Sequence, residues 1–398
     1  MNAIAPPLRQ STLHSLSLHA VLLLSMTLPM LILYTIGALG PLLIADLGIE
    51  AGWLGYVTMS AFGVAAMLSL AAGPLVERLG ARRGLLLLFV SVALAYALMI
   101  TLPGFAGIIA AVAVCGVAQA LSNPVTNLLI AQQIAPPRKA FAVGLKQSGV
   151  QLGALIAGGL LPLIAVPFGW RAAMATIIPV ALLLAFTAPA LAPPAPPAES
   201  RRSWLPARPG ALLLNLMAVQ GCAGVTLSAF VTFLPIFATQ QGVSQHDAGM
   251  MVAVFGVMGL TSRLTLTPLS TKLKDESWML LGLMALTALA LWITQQASSE
   301  SHWPLWVGVL IVGLTAVATN AVAMGMLLRD RVFGAPATAS GLLSAAFFGG
   351  FAAGAPLFGA VSGSSFGFNG AWSVLSLVAL AGSAAALGLA LLRRRSAP

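Results

Sequence analysis

Long apolar runs, broken by short charged or Pro/Gly-rich stretches, fill the chain from residue 19 to residue 392. The breaks delimit twelve spans: 19–44, 52–76, 84–102, 104–132, 139–165, 170–192, 211–238, 247–271, 277–297, 303–328, 337–362 and 370–392. None alternates with the period of two that a barrel strand would need, and each can cross about 30 Å of hydrocarbon as a helix. Backbone polar groups in lipid must satisfy one another within the segment, so the pattern predicts twelve transmembrane helices. Pro103-Gly104 leaves only a tight turn between the third and the fourth.

The pattern also repeats. Gly-Pro-Leu-Val-Glu-Arg at 73–78 aligns with Thr-Pro-Leu-Ser-Thr-Lys at 267–272, and GLKQSGVQLG at 144–153 with GLLSAAFFGG at 341–350. Both pairs lie roughly 195 positions apart, the mark of a duplicated unit. The organisation predicted is an N-terminal six-helix bundle over 1–192, a C-terminal one over 211–398, and a Pro- and Arg-rich linker between them. The linker, 193–210, reads PPAPPAESRRSWLPARPG, and its prolines make it semi-rigid.

Composition agrees with burial in lipid. Hydrophobic residues make up 59% of the chain and charged ones only 7%, against about 25% charged in a soluble domain. The net charge of +10 raises the question of nucleic acid, and its placement answers it. Arg9, Arg78, Arg82, Arg83, Arg138, Lys139, Arg201, Arg202, Arg208, Lys272, Lys274, Arg329, Arg331 and Arg393 to Arg395 all fall on one side. Only Arg171 falls on the other, and Lys146 and Arg263 lie within spans. The positive-inside rule then puts both termini in the cytoplasm of a bacterial inner membrane, with no nucleic-acid partner required. The polar N-terminus has no short apolar core with a cleavage site behind it, so the first run is expected to be a retained helix. Cys115 and Cys222 sit singly inside apolar spans, which predicts neither a disulfide framework nor a metal centre; no cofactor is expected.

Residues 73–83 read Gly73-Pro-Leu75-Val-Glu77-Arg78-Leu-Gly80-Ala-Arg82-Arg83. This resembles the loop motif of the major facilitator superfamily, Gly-x-Leu-Ala-Asp-Arg-x-Gly-Arg-Arg, with Glu77, Val76 and Ala81 as departures. With twelve spans and a central linker, the resemblance covers essentially the whole chain. It implies an all-α integral membrane fold of two pseudo-symmetric bundles that rock about a central site. It also implies a conformational switch at Gly73, Glu77, Arg78, Gly80 and Arg82, whose contacts form in one state and break in the other. The alternative is that these charges only fix topology.

Ionisable groups inside the membrane are expensive, so each calls for an explanation. Every carboxylate lies in a loop or at a span end, and the mid-span charges are two cations, Lys146 and Arg263. By the helical rise they sit roughly 10 and 13 Å deep. The resemblance implies that helices five and eight, which carry them, face each other, and that an arginine at this place in helix eight occurs in oxalate and monocarboxylate carriers. Two cations without an answering carboxylate attract an anion, which Arg263 can hold bidentately and Lys146 as a point charge. The alternatives are a snorkelling Lys146 and an Arg263 bonded to backbone carbonyls.

Gln147 and Gln151 share a face beside Lys146, as do Gln119, Asn123 and Asn127 in helix four, with Asn320 as a counterpart in helix ten. They are candidates for substrate contact or for bonds between helices. Tyr34, Phe230 and Phe233 are candidates for the cavity wall or for ordinary packing. Gly149 and Gly153 form a Gly-x-x-x-Gly pair suited to a close helix approach. Trp53, Trp170, Trp278, Trp303 and Trp372 read as interfacial anchors.

The expected function is secondary transport of a small organic anion, a carboxylate, by a monomer in the lipid bilayer through rocker-switch alternating access. Exchange is favoured because the histidines lie at span ends; proton symport stays open if Asp46 is drawn inward. Efflux of drugs or other hydrophobic compounds by proton antiport is the runner-up. The helix-five signature of such antiporters, Gly-x-x-x-Gly-Pro-x-x-Gly-Gly, is matched by Gly149-Val-Gln-Leu-Gly153-Ala154-Leu-Ile-Ala157-Gly158 without its proline and one glycine. An enzyme would need clustered His, Asp or Ser groups, which are absent from the sequence. A transport-dead membrane sensor would share every feature of the pattern.

Overall fold

The computed structural model describes residues 12–194, 209–334 and 336–396. Most of the expected linker, 195–208, lies outside the described residues. The described residues are helical throughout, apart from short loops and one isolated bridge between Ser298 and Ser301. We number the membrane-crossing helices α1 to α12. They are α1 Thr12–Ala38, α2 and α3 on either side of Gly80 within Leu54–Thr101, α4 Gly104–Gln133, α5 136–168 and α6 Trp170–Leu191. The second set is α7 Ala211–Gln240, α8 Gln245–Ser270, α9 Ser277–Thr294, α10 Trp303–Arg329, α11 Pro336–Ser362 and α12 Gly367–Ser396.

The segment from Ala51 to Thr101 is one continuous run of 51 residues, far longer than a single crossing at 1.5 Å per residue. Gly80 divides it, with φ 74° and ψ 164°, a backbone conformation essentially restricted to glycine. The glycine of the loop motif is therefore the residue that lets the chain turn back. Glu77, Arg78 and Arg82 are exposed at this turn, and a Cβ on Gly73 would meet nothing within 4 Å.

The first span ends earlier than the sequence suggested. It was expected to continue to 44; instead α1 stops at Ala38 and a separate short helix, Gly40–Leu47, follows. Pro41 is the physical reason, since its ring has no N–H to give and would clash with the carbonyl four residues back if the helix ran on. The short helix is held by Asp46, whose Oδ2 accepts bonds from Trp170 Nε1 at 3.0 Å and Arg171 Nη1 at 2.7 Å. Asp46 is thus an ion-paired surface group outside the membrane crossings, not a carboxylate drawn inward. Trp170 is buried in this contact and Trp372 within an aromatic cluster, whereas Trp53, Trp278 and Trp303 are exposed as interfacial anchors would be.

The Trp170 bond first, then Arg171, hold the Asp46 carboxyl below the usual carboxylate range. Its contribution to stability is present above that range and is lost as pH falls through the lowered folded value. Wild type should therefore be more heat-stable than Asp46→Asn at neutral pH, with the difference closing below about pH 4. Melting temperatures of both proteins across pH check this, and a pH-independent difference would contradict it.

Alternation of the helices defines two faces. The basic face carries the α2–α3 turn together with Lys272, Lys274, Arg329, Arg331 and the α12 end; the distal face carries Asp46 and Arg171. On the basic face Arg393 pairs with Asp330 at 2.9 Å and with Asp275 at 3.4 Å, while Arg329 pairs with Glu276 at 2.7 Å. These bridges join the α8–α9 loop, the α10 end and α12, and so brace the second six helices on themselves.

The first six helices meet the second six mainly where α2 packs on α11 and α5 on α8, with α1 against α7. Exchanging each helix with the one six places along turns the first of these pairs into the second. Glycines make the approaches close. A Cβ on Gly55 would lie 2.5 Å from the Ala355 carbonyl oxygen, and one on Gly158 would lie 2.3 Å from that of Gly249. Both contacts are near the distal face, whereas Gly73 and Gly144, toward the basic face, have open space around them.

Candidate functional site

Helix α5 meets two neighbours along different faces. Gly149 and Gly153 press against α1, a Cβ on Gly149 falling 2.2 Å from the Leu23 carbonyl oxygen. The Gly-x-x-x-Gly pair serves close packing, as such spacing allows. One turn further on, residues Ile156–Leu160 form a π-turn, a distortion that recurs at functional sites. It lies where Gly158 and Gly159 contact α8.

Lys146 projects from α5 toward α4 and is 1% exposed. Its Nζ donates to Asn127 Oδ1 at 2.5 Å, Thr126 Oγ1 at 3.0 Å and Asn123 Oδ1 at 3.3 Å. An ammonium has three protons to give, and three protein oxygens take them. Lys146 neither snorkels nor stands free for a ligand; it ties α5 to α4. Thr126, two turns from Gln119 on the buried side of α4, was not singled out from the sequence because a threonine in a helix normally bonds its own backbone.

From this cluster a chain of bonds leads across to the second six helices. Gln147 Nε2 donates to Asn123 Oδ1 at 3.3 Å, and Arg263 Nη1 in α8 donates to Gln147 Oε1 at 3.1 Å. The two mid-membrane cations are therefore linked through Asn123 and Gln147, as members of one network and not as two independent sites. Arg263 Nε is buried without a partner.

Arg263 lines a small cavity between the two sets of helices. From the first set α1 contributes Met30, Leu33 and Tyr34, and α5 contributes Val150 and Gln151. From the second, α7 gives Leu227 and Val231, α8 gives Phe255 beside Arg263, α10 gives Val317 and Asn320, and α11 gives Phe351. Among the described residues, Arg263 is the one charged residue in this wall, and no carboxylate belongs to it. Its lining, predominantly apolar with a few converging polar groups, has the character of a small-molecule site.

Some expected site residues are elsewhere. Gln119 donates to the Pro29 carbonyl oxygen at 2.9 Å and contacts Met30 Sδ at 2.9 Å, which fixes α4 to α1 behind the cavity wall. Phe233 stacks on Phe358 at 4.7 Å within an aromatic cluster that includes Phe237, Phe368 and Trp372. Phe230 reaches Phe255 at 6.0 Å and supports the wall from behind. Asn320 is in the wall, and its side chain bonds that of Gln220 at 3.4 Å. Phe255 and Phe351 were not distinguished in the sequence, where apolar residues facing lipid, core and cavity look alike.

The sequence model described as Major Facilitator Superfamily matches residues 21–335 and 216–398 of the chain. None of the curated proteins compared matches it.

Proposed function

The chain belongs to the Major Facilitator Superfamily, and from that premise we propose that this membrane transporter carries a small organic anion, a carboxylate, by alternating access. The moving bodies are 1–192 and 211–398, joined by 193–210, and the basic face is cytoplasmic in a bacterial inner membrane. With glycine contacts closing the distal side, the conformer described faces the cytoplasm. One observation carries the substrate class: Arg263 is the charged group of the cavity wall, its Nε has no partner, and no carboxylate there answers it. A guanidinium so placed binds a carboxylate through parallel hydrogen bonds. Lys146 supports the site from behind by holding Asn123, which positions Gln147 against Arg263.

Exchange is the coupling this arrangement favours, since Asp46 is committed to Trp170 and Arg171 at the distal surface. Uptake of a radiolabelled carboxylate into proteoliposomes should be stimulated by unlabelled anion inside and should persist without a pH gradient. Strict dependence on a pH gradient, abolished in Asp46→Asn, would contradict exchange.

A second reading, export of hydrophobic compounds, draws on the eight apolar residues of the wall. It makes cells carrying the protein less susceptible to such compounds, an effect that Arg263→Ala should leave intact.

A further inference from the structure

Two buried polar atoms in the cavity wall lack partners, and they are of opposite kind. Arg263 Nε is a donor and Gln151 Oε1 an acceptor. Gln151 is 2% exposed, and its amide lies over α8 at Gly259, where a Cβ would come within 2.5 Å of Oε1. A glycine in α8 thus leaves the space that the Gln151 amide occupies, four residues before Arg263. Buried polar atoms in native proteins are almost always satisfied, so an unpartnered donor and an unpartnered acceptor on two residues of one cavity wall describe the ligand that would close them.

The charge count is as informative. Among the described residues, Arg263 is the single cation of the wall, and Lys146 gives its three protons to Asn123, Thr126 and Asn127. A second carboxylate on the ligand would face Phe255, Phe351 and Val231 with no counter-charge, and an unpaired buried charge is strongly disfavoured. The same side chains welcome an apolar body.

Resting on the carboxylate-carrier reading, we propose that the substrate is a compact monoanion with an apolar body and one hydrogen-bond donor close to its carboxylate. The carboxylate meets Arg263, the donor meets Gln151 Oε1, and the body lies against Phe255 and Phe351. A 2-hydroxy acid with a short branched chain has this form; a dicarboxylate does not.

Three probes of similar size test it by titration of the purified protein: 3-methylbutanoate, 2-hydroxy-3-methylbutanoate and succinate. The hydroxy acid should bind roughly three- to tenfold more tightly than 3-methylbutanoate, the usual worth of one added hydrogen bond, and succinate at least about tenfold more weakly than either. In Gln151→Leu the ratio between the two monocarboxylates should fall to about one. Succinate binding as tightly as the monoanions, or a ratio unchanged in Gln151→Leu, would overturn the monoanion assignment while leaving a carboxylate carrier in place. If none of the three binds, the carboxylate reading itself falls and this inference with it.

Discussion

Replacing Arg263 by alanine should abolish saturable carboxylate transport at concentrations that saturate the wild type. Among the described residues the cavity wall contains no other cation, and Lys146 cannot move in without abandoning three bonds to α4. Truncating one partner of a buried, hydrogen-bonded charge pair costs about 2–5 kcal/mol, a loss of affinity of roughly thirtyfold or more. Arg263→Lys should fall between the two proteins, since it keeps the charge and loses the planar fork that holds both carboxylate oxygens. The concentration dependence of uptake into proteoliposomes measures this. The variant should also retain its fold: Arg263 makes one side-chain bond, to Gln147, and Gln147 keeps its bond to Asn123. Undiminished, saturable uptake by Arg263→Ala would show that the anion is held elsewhere.

The second large effect is conformational. Gly158 and Gly55 belong to equivalent contacts, one on α5 against α8 and the other on α2 against α11. In each case an added Cβ would run into backbone, 2.4 Å from the Ala253 nitrogen for Gly158 and 2.6 Å from the Ala355 carbonyl carbon for Gly55. Backbone cannot rotate aside as a side-chain tip can, so Gly158→Val or Gly55→Val must push the two sets of helices apart at the distal face. Overpacking of this kind costs about 1–3 kcal/mol. Charged to the distal-closed form alone, it shifts the ratio of conformers roughly five- to 150-fold toward the distal-open form. Turnover, which needs both forms, should drop by up to that factor. A cysteine at Gln245, whose side chain bonds the Ala38 carbonyl oxygen across the closed distal face, reports the change. An impermeant thiol reagent applied from that side should label it faster in either valine variant. Equal labelling with normal turnover would mean that these glycines do not gate.

Much of the fold can be read from the chain because lipid imposes a simple rule, that a crossing is a long apolar helix. The twelve spans and the break between the second and the third follow from it, and the packing face of Gly149 and Gly153 from their spacing. The end of α1 was misplaced by the same logic: hydropathy runs smoothly through Leu39 and Gly40, while the break is set by Pro41, a backbone effect that apolarity does not register. At the site, Arg263 stood out because a charge in hydrocarbon is rare. Lys146 stood out for the same reason, yet its role depended on whether α4 offered it oxygens. Asn123, Thr126 and Asn127 are ordinary helical residues until the two helices are brought together. The walls formed by Phe255, Phe351 and Val231 were illegible for the opposite reason, since nothing local separates a cavity-facing apolar residue from dozens facing lipid.

The account turns on Arg263 holding a carboxylate between the two sets of helices. The most direct test is the thermal stability of the purified protein against a panel of small carboxylates, for the wild type and Arg263→Ala in parallel. At least one monocarboxylate should raise the melting temperature of the wild type in a concentration-dependent way and leave that of Arg263→Ala unchanged. Equal stabilisation of both proteins, or stabilisation of the wild type by uncharged analogues alone, would contradict it.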